Sequence, residues 1–154
     1  MPLIPRAQIQ SRRLHEIAAY LDSKRRNGVP PGRSDIDPVT EIPKLAQHLM
    51  LMERGPAGRF RYRLMGSIAA EIQGRDMTGL WVDDVPMDKA ATGWEPGLPT
   101  LFATDELLCG VDRPPWEART HIVFEWISLR LTVREGTPQL VLVATDYHPA
   151  PTAV

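Results

Sequence analysis

The sequence has little of what several classes of protein require. Its single cysteine, Cys109, excludes an intramolecular disulfide and a zinc site built from several cysteines. Lys and Arg number 18 against 19 Asp and Glu, so no strong net charge favours nucleic acid or an anionic membrane surface. No apolar run approaches the length of a membrane span, and the amino terminus lacks a signal-peptide pattern. We therefore expect a cytoplasmic protein that binds neither nucleic acid nor a membrane.

Motifs for the common enzyme chemistries are also missing. The chain has no Gly-rich phosphate loop, no Gly-x-Ser-x-Gly elbow and no His-Glu-x-x-His helix. An enzyme of hydrolase or isomerase type would have to use Asp83, Asp84 and Asp88, with His121 opposite them. Adjacent acids at a helix entry are more typical of caps and dipole partners. We predict that the protein is not an enzyme, with a small α+β enzyme as an alternative.

Metal and thiol chemistry have only weak candidates. Asp146 and His148 share one face of a predicted strand, and His121 could lie on the neighbouring strand, which would give a mixed-ligand metal site. Histidines near strand ends are usually just exposed, so we predict no metal site. Cys109 lies between apolar neighbours, which favours a small buried hydrophobic residue over a redox or attachment site.

The composition is that of one ordinary globular domain. The chain has 154 residues, of which 43% are apolar and 24% charged. In the segment 8–27, Leu14, Ile17 and Leu21 form the apolar stripe of an amphipathic helix, and Gly28 ends it. This stripe either packs on the rest of the chain or forms the interface of a homodimer.

A short apolar run at residues 48–53 is predicted to form the first strand of a β-hairpin. Beyond a Gly- and Pro-containing turn, Phe60, Tyr62 and Leu64 alternate with arginines. The apolar side chains of this strand should face a core. The basic face consists of Arg59, Arg61 and Arg63. We interpret it as solvated or paired with acidic neighbours rather than as an anion site.

Two longer strands follow near the carboxyl end. Residues 121–133 and 139–147 are rich in β-branched residues and are joined by a Gly- and Pro-containing turn, which predicts an antiparallel pair. Residues 109–111 add an edge strand. The last strand is apolar on both faces, so it should lie in the centre of a sheet covered on both sides.

Short helices are predicted between the strands. Asp37 and Pro38 are typical of the start of a helical turn. Ser67 can cap a helix that ends at Gly74, and further helices are expected over residues 87–92 and 100–107. These segments would cover one face of a sheet of about five strands, and the amino-terminal helix or a second subunit would cover the other.

Three ordered motifs resemble a known family. They are Asp35-Ile36-Asp37-Pro38 with Ile42-Pro43, then Phe60 to Ser67, then Gly74-Arg75-Asp76-Met77-Thr78-Gly79. Together they look like the small PAS-like family found mainly in alphaproteobacteria. The resemblance implies an α+β fold with a PAS-like five-stranded antiparallel sheet, short helices on one face and an amino-terminal amphipathic helix. The expected division is helix and linker over 1–33, the PAS-like domain over 34–148, and a tail over 149–154.

The resemblance also implies a function. PAS domains sense a small ligand or act as signalling adaptors, and this chain has no room for its own output domain. Haem is disfavoured because no histidine lies between His48 and His121, and photoactive flavin is disfavoured because Cys109 lacks the required neighbours. A noncovalent apolar ligand or a protein partner remains, with a purely structural homodimerisation module as an alternative. The candidate cavity residues are Tyr62, Leu64, Trp81, Phe102 and Trp126.

Overall fold

A computed structural model describes residues 3–85, 97–114 and 121–149. Its α-helices are α1 (Arg12–Ser23), α2 (Pro38–Glu41), α3 (Ser67–Gln73) and α4 (Leu98–Leu101). Its strands are β1 (Leu49–Arg54), β2 (Phe60–Met65), β3 (Leu108–Asp112), β4 (Ile122–Arg130) and β5 (Gln139–Pro149). Short 3-10 turns lie at Arg6–Gln8, Arg33–Asp35, Ala46–His48, Pro56–Gly58 and Val82–Asp84. Among these residues, every helix is too short or too polar to span a bilayer.

The strands form one antiparallel sheet in the order β2-β1-β5-β4-β3. Strand β5 is therefore central, as its two apolar faces predict. Residues Leu140 to Thr145 are all buried, because side chains on both faces of this strand pack against a covering layer. The α+β fold with a five-stranded antiparallel sheet and short helices is confirmed.

Local sequence signals place several helix ends correctly. The Asp37 side chain accepts a hydrogen bond from the backbone N–H of Thr40, and Pro38 is the first residue of α2. Helix α3 ends at Gly74, which adopts a left-handed φ of 97°. Ser67 does not cap α3 but is its first residue, and its hydroxyl donates to Gln47 Oε1.

The middle segment contains less helix than the sequence predicts. The helix expected over 100–107 is instead the single turn α4, and the chain then runs without helix to β3. Pro99 lies in the first turn of α4, where proline is favourable. The helix expected over 87–92 lies outside the described residues.

The inner side of the sheet is the face that packs against α3 and α4. Its core contains methionines from β1, Tyr62, Phe102 and Trp126, together with Ala69 and Ile72 of α3. The ring centroids of Phe60 and Phe102 are 5.3 Å apart. Aromatic and sulfur-containing side chains thus fill much of the space between sheet and helices.

The outer side of the sheet packs against α1. Leu14, Ile17 and Leu21 are fully buried in a second core, together with leucines of β4 and β5. The interpretation of these three residues as a dimer interface is therefore corrected, because they lie in the core of their own chain. Helix α1 packs directly on β4 and β5 of the same chain.

Two acidic side chains of the sheet hold the start of α1. The carboxylate of Glu125 accepts hydrogen bonds from the backbone N–H groups of Gln10 and Ser11, at 2.7 and 2.8 Å. The hydroxyl of Ser11 accepts from the Leu14 N–H and donates to Asp146 Oδ2. Ser11 therefore caps the first turn of α1, and Glu125 and Asp146 fix this turn to β4 and β5.

A β-bulge interrupts the alternation of strand β2. Leu51 of β1 is opposite Leu64, whereas the next residue, Met52, is opposite Tyr62, so Arg63 is an extra residue in β2. Tyr62 and Met65 are buried on the inner side. The bulge turns Leu64 to the outer side, where it is 48% exposed.

Candidate functional site

The inner side of the sheet brings together three of the five residues expected to line a cavity. Tyr62, Phe102 and Trp126 are buried in one cluster between the sheet and the helices. Tyr62 comes from the edge strand β2, Trp126 from β4, and Phe102 follows α4. The cluster therefore extends across the sheet from β2 to β4 and includes the helical layer.

The other two expected residues lie elsewhere. Leu64 is on the outer side because of the bulge in β2. Trp81 lies beside the β1–β2 turn, where its ring packs against Gly55 and under the guanidinium groups of Arg59 and Arg61, 4.6 and 5.2 Å from the ring centroid. Their expected position with Tyr62, Phe102 and Trp126 is therefore corrected.

Together with Trp126, three polar side chains that the sequence did not point to lie on this same inner side. Four buried side-chain atoms have no hydrogen-bond partner among the residues that the structure describes. They are Gln73 Oε1, Trp126 Nε1, Ser128 Oγ and Thr145 Oγ1. A buried polar group without a partner costs about 1–3 kcal/mol, so four such groups on one side of a sheet require an explanation.

Strand register places three of these residues side by side. Trp126 is directly opposite Thr145, and Ser128 is opposite Val143, two residue pairs further along the same two strands. Trp126, Ser128 and Val143 alternate with outer-core residues, which puts them on the inner side. Gln73 is buried on α3, the helix that packs against β5.

The indole ring of Trp126 lies across Gly110 of the edge strand β3. A methyl group at residue 110 would be 2.4 Å from the ring carbons and 2.6 Å from Nε1. Gly110 therefore provides the space for the ring. A glycine within a predicted strand, and polar residues at inward positions of two apolar strands, are the sequence signals by which this site could have been found.

The four polar atoms differ in whether they can donate or accept a hydrogen bond. An indole N–H is only a donor, an amide oxygen is only an acceptor, and the hydroxyls of Ser128 and Thr145 can act as either. No charged group belongs to this set, and the surrounding residues are apolar. The arrangement suits a neutral, largely apolar molecule with a few polar atoms.

Two of the acids considered for catalysis form ion pairs with Arg59. Arg59 donates to both Asp83 and Asp84, and this bonding holds the pKa of Asp83 below its usual range. A depressed pKa keeps Asp83 ionised and makes it a poor proton donor. Asp88 lies outside the described residues, and His121 is exposed.

The arginine face of β2 is partly paired with acids and partly exposed to solvent. Arg61 donates to the buried carboxylate of Glu53, and Arg63 lies 3.8 Å from the same carboxylate. Among the described residues, no three His, Cys, Asp or Glu side chains are grouped to hold a metal ion. Cys109 is buried in the outer core, and this burial raises the pKa of its thiol, as expected for a packing residue.

Comparison with known proteins identifies the family. A family model described as a PAS domain matches residues 9–90, which is 82 of the 154 residues. This match begins just before α1 and extends through β1, β2 and α3. No curated protein and no solved structure matches the chain. Because the family model covers more than half of the sequence, the chain belongs to the PAS domain family, a family of sensory and signalling domains.

Proposed function

We propose that this PAS domain binds a small, neutral, largely apolar ligand noncovalently on the inner side of its sheet. The observation that carries the proposal is the group of four unpartnered polar atoms there. A ligand with one acceptor and one or two hydroxyl-type groups would satisfy them and remove their desolvation cost. The same side offers the apolar surface that excludes water around such contacts.

The signal would pass to a protein partner through the sheet and α1. Trp126 and Ser128 on the inner side alternate with Glu125 and Ile127 on the outer side of the same strand. Glu125 holds the start of α1, so a ligand that shifts β4 would shift the helix as well. This route connects the inner site to the surface of the protein without requiring catalysis.

Several broader assignments belong to the same proposal. The three motifs between Asp35 and Gly79 support membership of the alphaproteobacterial-type PAS-like group. The ion pairs of Asp83 and Asp84 with Arg59 support a binding role rather than an enzymatic one. The buried, unpaired thiol of Cys109 is in keeping with a reducing cytoplasm.

Native mass measurement, an absorbance spectrum and NMR test the ligand. We expect the protein as purified, or after addition of a small-molecule extract of the host cells, to carry an extra mass. The same ligand should shift the indole N–H resonance of Trp126, which a Trp126→Phe variant identifies among the four tryptophans. A double variant, Ser128→Ala with Thr145→Val, should bind at least tenfold more weakly.

The control is Thr40→Val, which makes the same chemical change at an exposed position of α2. It should bind like the wild type. If no extra mass appears and the Trp126 resonance does not move, the domain does not bind a ligand there. The proposal would then be rejected in favour of a protein-interaction role.

A further inference from the structure

A cavity of about 370 Å³ lies on the outer side of the sheet, away from the site proposed above. Its floor is formed by Leu51 and Leu142, and its walls by Ile36, Val39 and the outward-turned Leu64. Its volume is within the range of small-molecule sites, about 300–1,000 Å³. Val39 and Leu64 are 74% and 48% exposed, so apolar side chains border the opening of this cavity.

The fold explains why this space exists. Helix α1 packs against β4 and β5, so it covers only one half of the outer side. The other half, at β1 and β2, is covered by the segment 33–47, which contains two short turns and helix α2. The bulge at Arg63 then places Leu64 at the open edge of this half, where it extends the apolar surface.

One cation and no acid lie among the described residues that line the cavity. The cation is Arg33, which is exposed and donates one hydrogen bond to the carbonyl oxygen of Ile36, at 3.3 Å. The nearest acid in sequence, Asp35, is engaged by Arg134 and by the backbone N–H of Gly32. Arg33 therefore has guanidinium N–H groups that can bind an anion.

A second cavity, of about 300 Å³, adjoins the first, and the charged residues that line it are also arginines. It shares Arg33, Leu51 and Leu64 with the first cavity, and its described lining adds Arg63 but no acid. Arg63 has only a long contact with Glu53, at 3.8 Å. Two arginines thus border one continuous apolar groove, so the groove combines apolar surface with positive charge.

From this combination we propose that the outer groove binds a small monocarboxylate with an apolar tail, such as a medium-chain fatty acid. The tail would lie on Leu51, Leu64 and Leu142, and the carboxylate would accept hydrogen bonds from Arg33 in a bidentate pair. This site is separate from the inner side, because the sheet lies between the two. It therefore does not depend on the proposed inner ligand.

Decanoate and the neutral decanol are the matched probes, used below the concentrations at which they form micelles. In backbone NMR titrations, both should shift the amide resonances of Gly66 and Ser67, which line the groove. Decanoate should bind about fivefold more tightly than decanol, the upper end for an exposed ion pair. The indole resonance of Trp126 should not move, which separates this site from the inner one.

Two variants and one control decide the result. Arg33→Gln should remove the preference for decanoate and leave decanol binding unchanged. Leu64→Glu should weaken both probes at least tenfold and, because Leu64 is half-exposed, should leave the fold intact. Arg12→Gln, at an exposed position on α1, should change nothing.

Three outcomes would overturn the proposal. One is equal binding of decanoate by the wild type and Arg33→Gln. Another is movement of Trp126 instead of Gly66 and Ser67. The last is a dimer that Leu64→Glu disrupts while neither probe binds the wild type, since a second copy of the chain would then occupy the groove.

Discussion

The indole ring of Trp126 lies across Gly110 on the neighbouring strand, and the two residues are directly opposite each other in the β3–β4 pair. The residue at position 110 therefore sets the position of Trp126 Nε1, the one pure donor among the unpartnered polar atoms. A change at an edge strand thus controls the geometry of the inner site.

Gly110→Ala should displace the Trp126 ring. The new methyl group would be 2.4 Å from the ring carbons, which is too close for any side chain. Overpacking of this kind costs about 1–3 kcal/mol, so we expect a loss of that size in urea unfolding and a shifted indole N–H resonance. Gly32→Ala is the control, because its methyl group would meet only the flexible side chain of Arg134. Equal losses of stability in Gly110→Ala and Gly32→Ala would contradict the position of the Trp126 ring across residue 110.

Thr145→Val should stabilise the ligand-free protein. Thr145 is 1% exposed and its hydroxyl has no partner among the described residues, so an isosteric apolar side chain removes a desolvation cost. We expect a gain of about 1 kcal/mol, seen as a rise in Tm of about 2–4 °C. The exposed Thr40→Val should change stability by less than about 0.5 kcal/mol. A loss of stability in Thr145→Val would mean that the hydroxyl has a partner.

The sequence predicts those parts of the fold that depend on local pattern. The central position of β5 follows from its two apolar faces, and the end of α3 follows from Gly74. Leu64 was assigned to the wrong side because strict alternation assumes that every residue of β2 has a partner in β1. A bulge depends on the pairing of two strands, and a single strand does not reveal it.

The inner site could be predicted only in part, for a related reason. Size and apolar character pointed to Tyr62, Phe102 and Trp126. The importance of Ser128 and Thr145 depends on which atoms lack partners, and partners come from strands that are distant in sequence. The sequence likewise does not distinguish packing of α1 on its own chain from dimerisation, because the second core that buries α1 is formed by strands distant in sequence.

Glu125→Gln should loosen the start of α1. Each oxygen of the buried carboxylate accepts a hydrogen bond from one backbone N–H group. An amide has only one oxygen, so its NH2 group would face the other backbone N–H group. We expect a loss of about 1–3 kcal/mol in urea unfolding, with faster hydrogen exchange at residues 10–14. Glu16→Gln on the exposed side of α1 is the matched control. Unchanged exchange in Glu125→Gln would exclude this role.

The pH dependence of the contact between α1 and α2 follows from Tyr20. Its hydroxyl donates to Glu41 Oε1 and accepts from the backbone N–H of Asp37, and burial, followed by the bond to Glu41, raises the pKa of Tyr20 to about 12. The folded pKa is above the ordinary value of 10.0, so the contribution to stability is complete below pH 10 and is lost as pH rises towards 12. The difference in tyrosinate absorbance between the wild type and Tyr20→Phe reports the titration of Tyr20 alone. Its midpoint should lie near pH 12, and Glu41→Gln should lower this midpoint. Tyr147→Phe, at an exposed position, is the control for the difference method. A Tyr20 midpoint at the ordinary value would show that the hydroxyl does not bond Glu41 in solution.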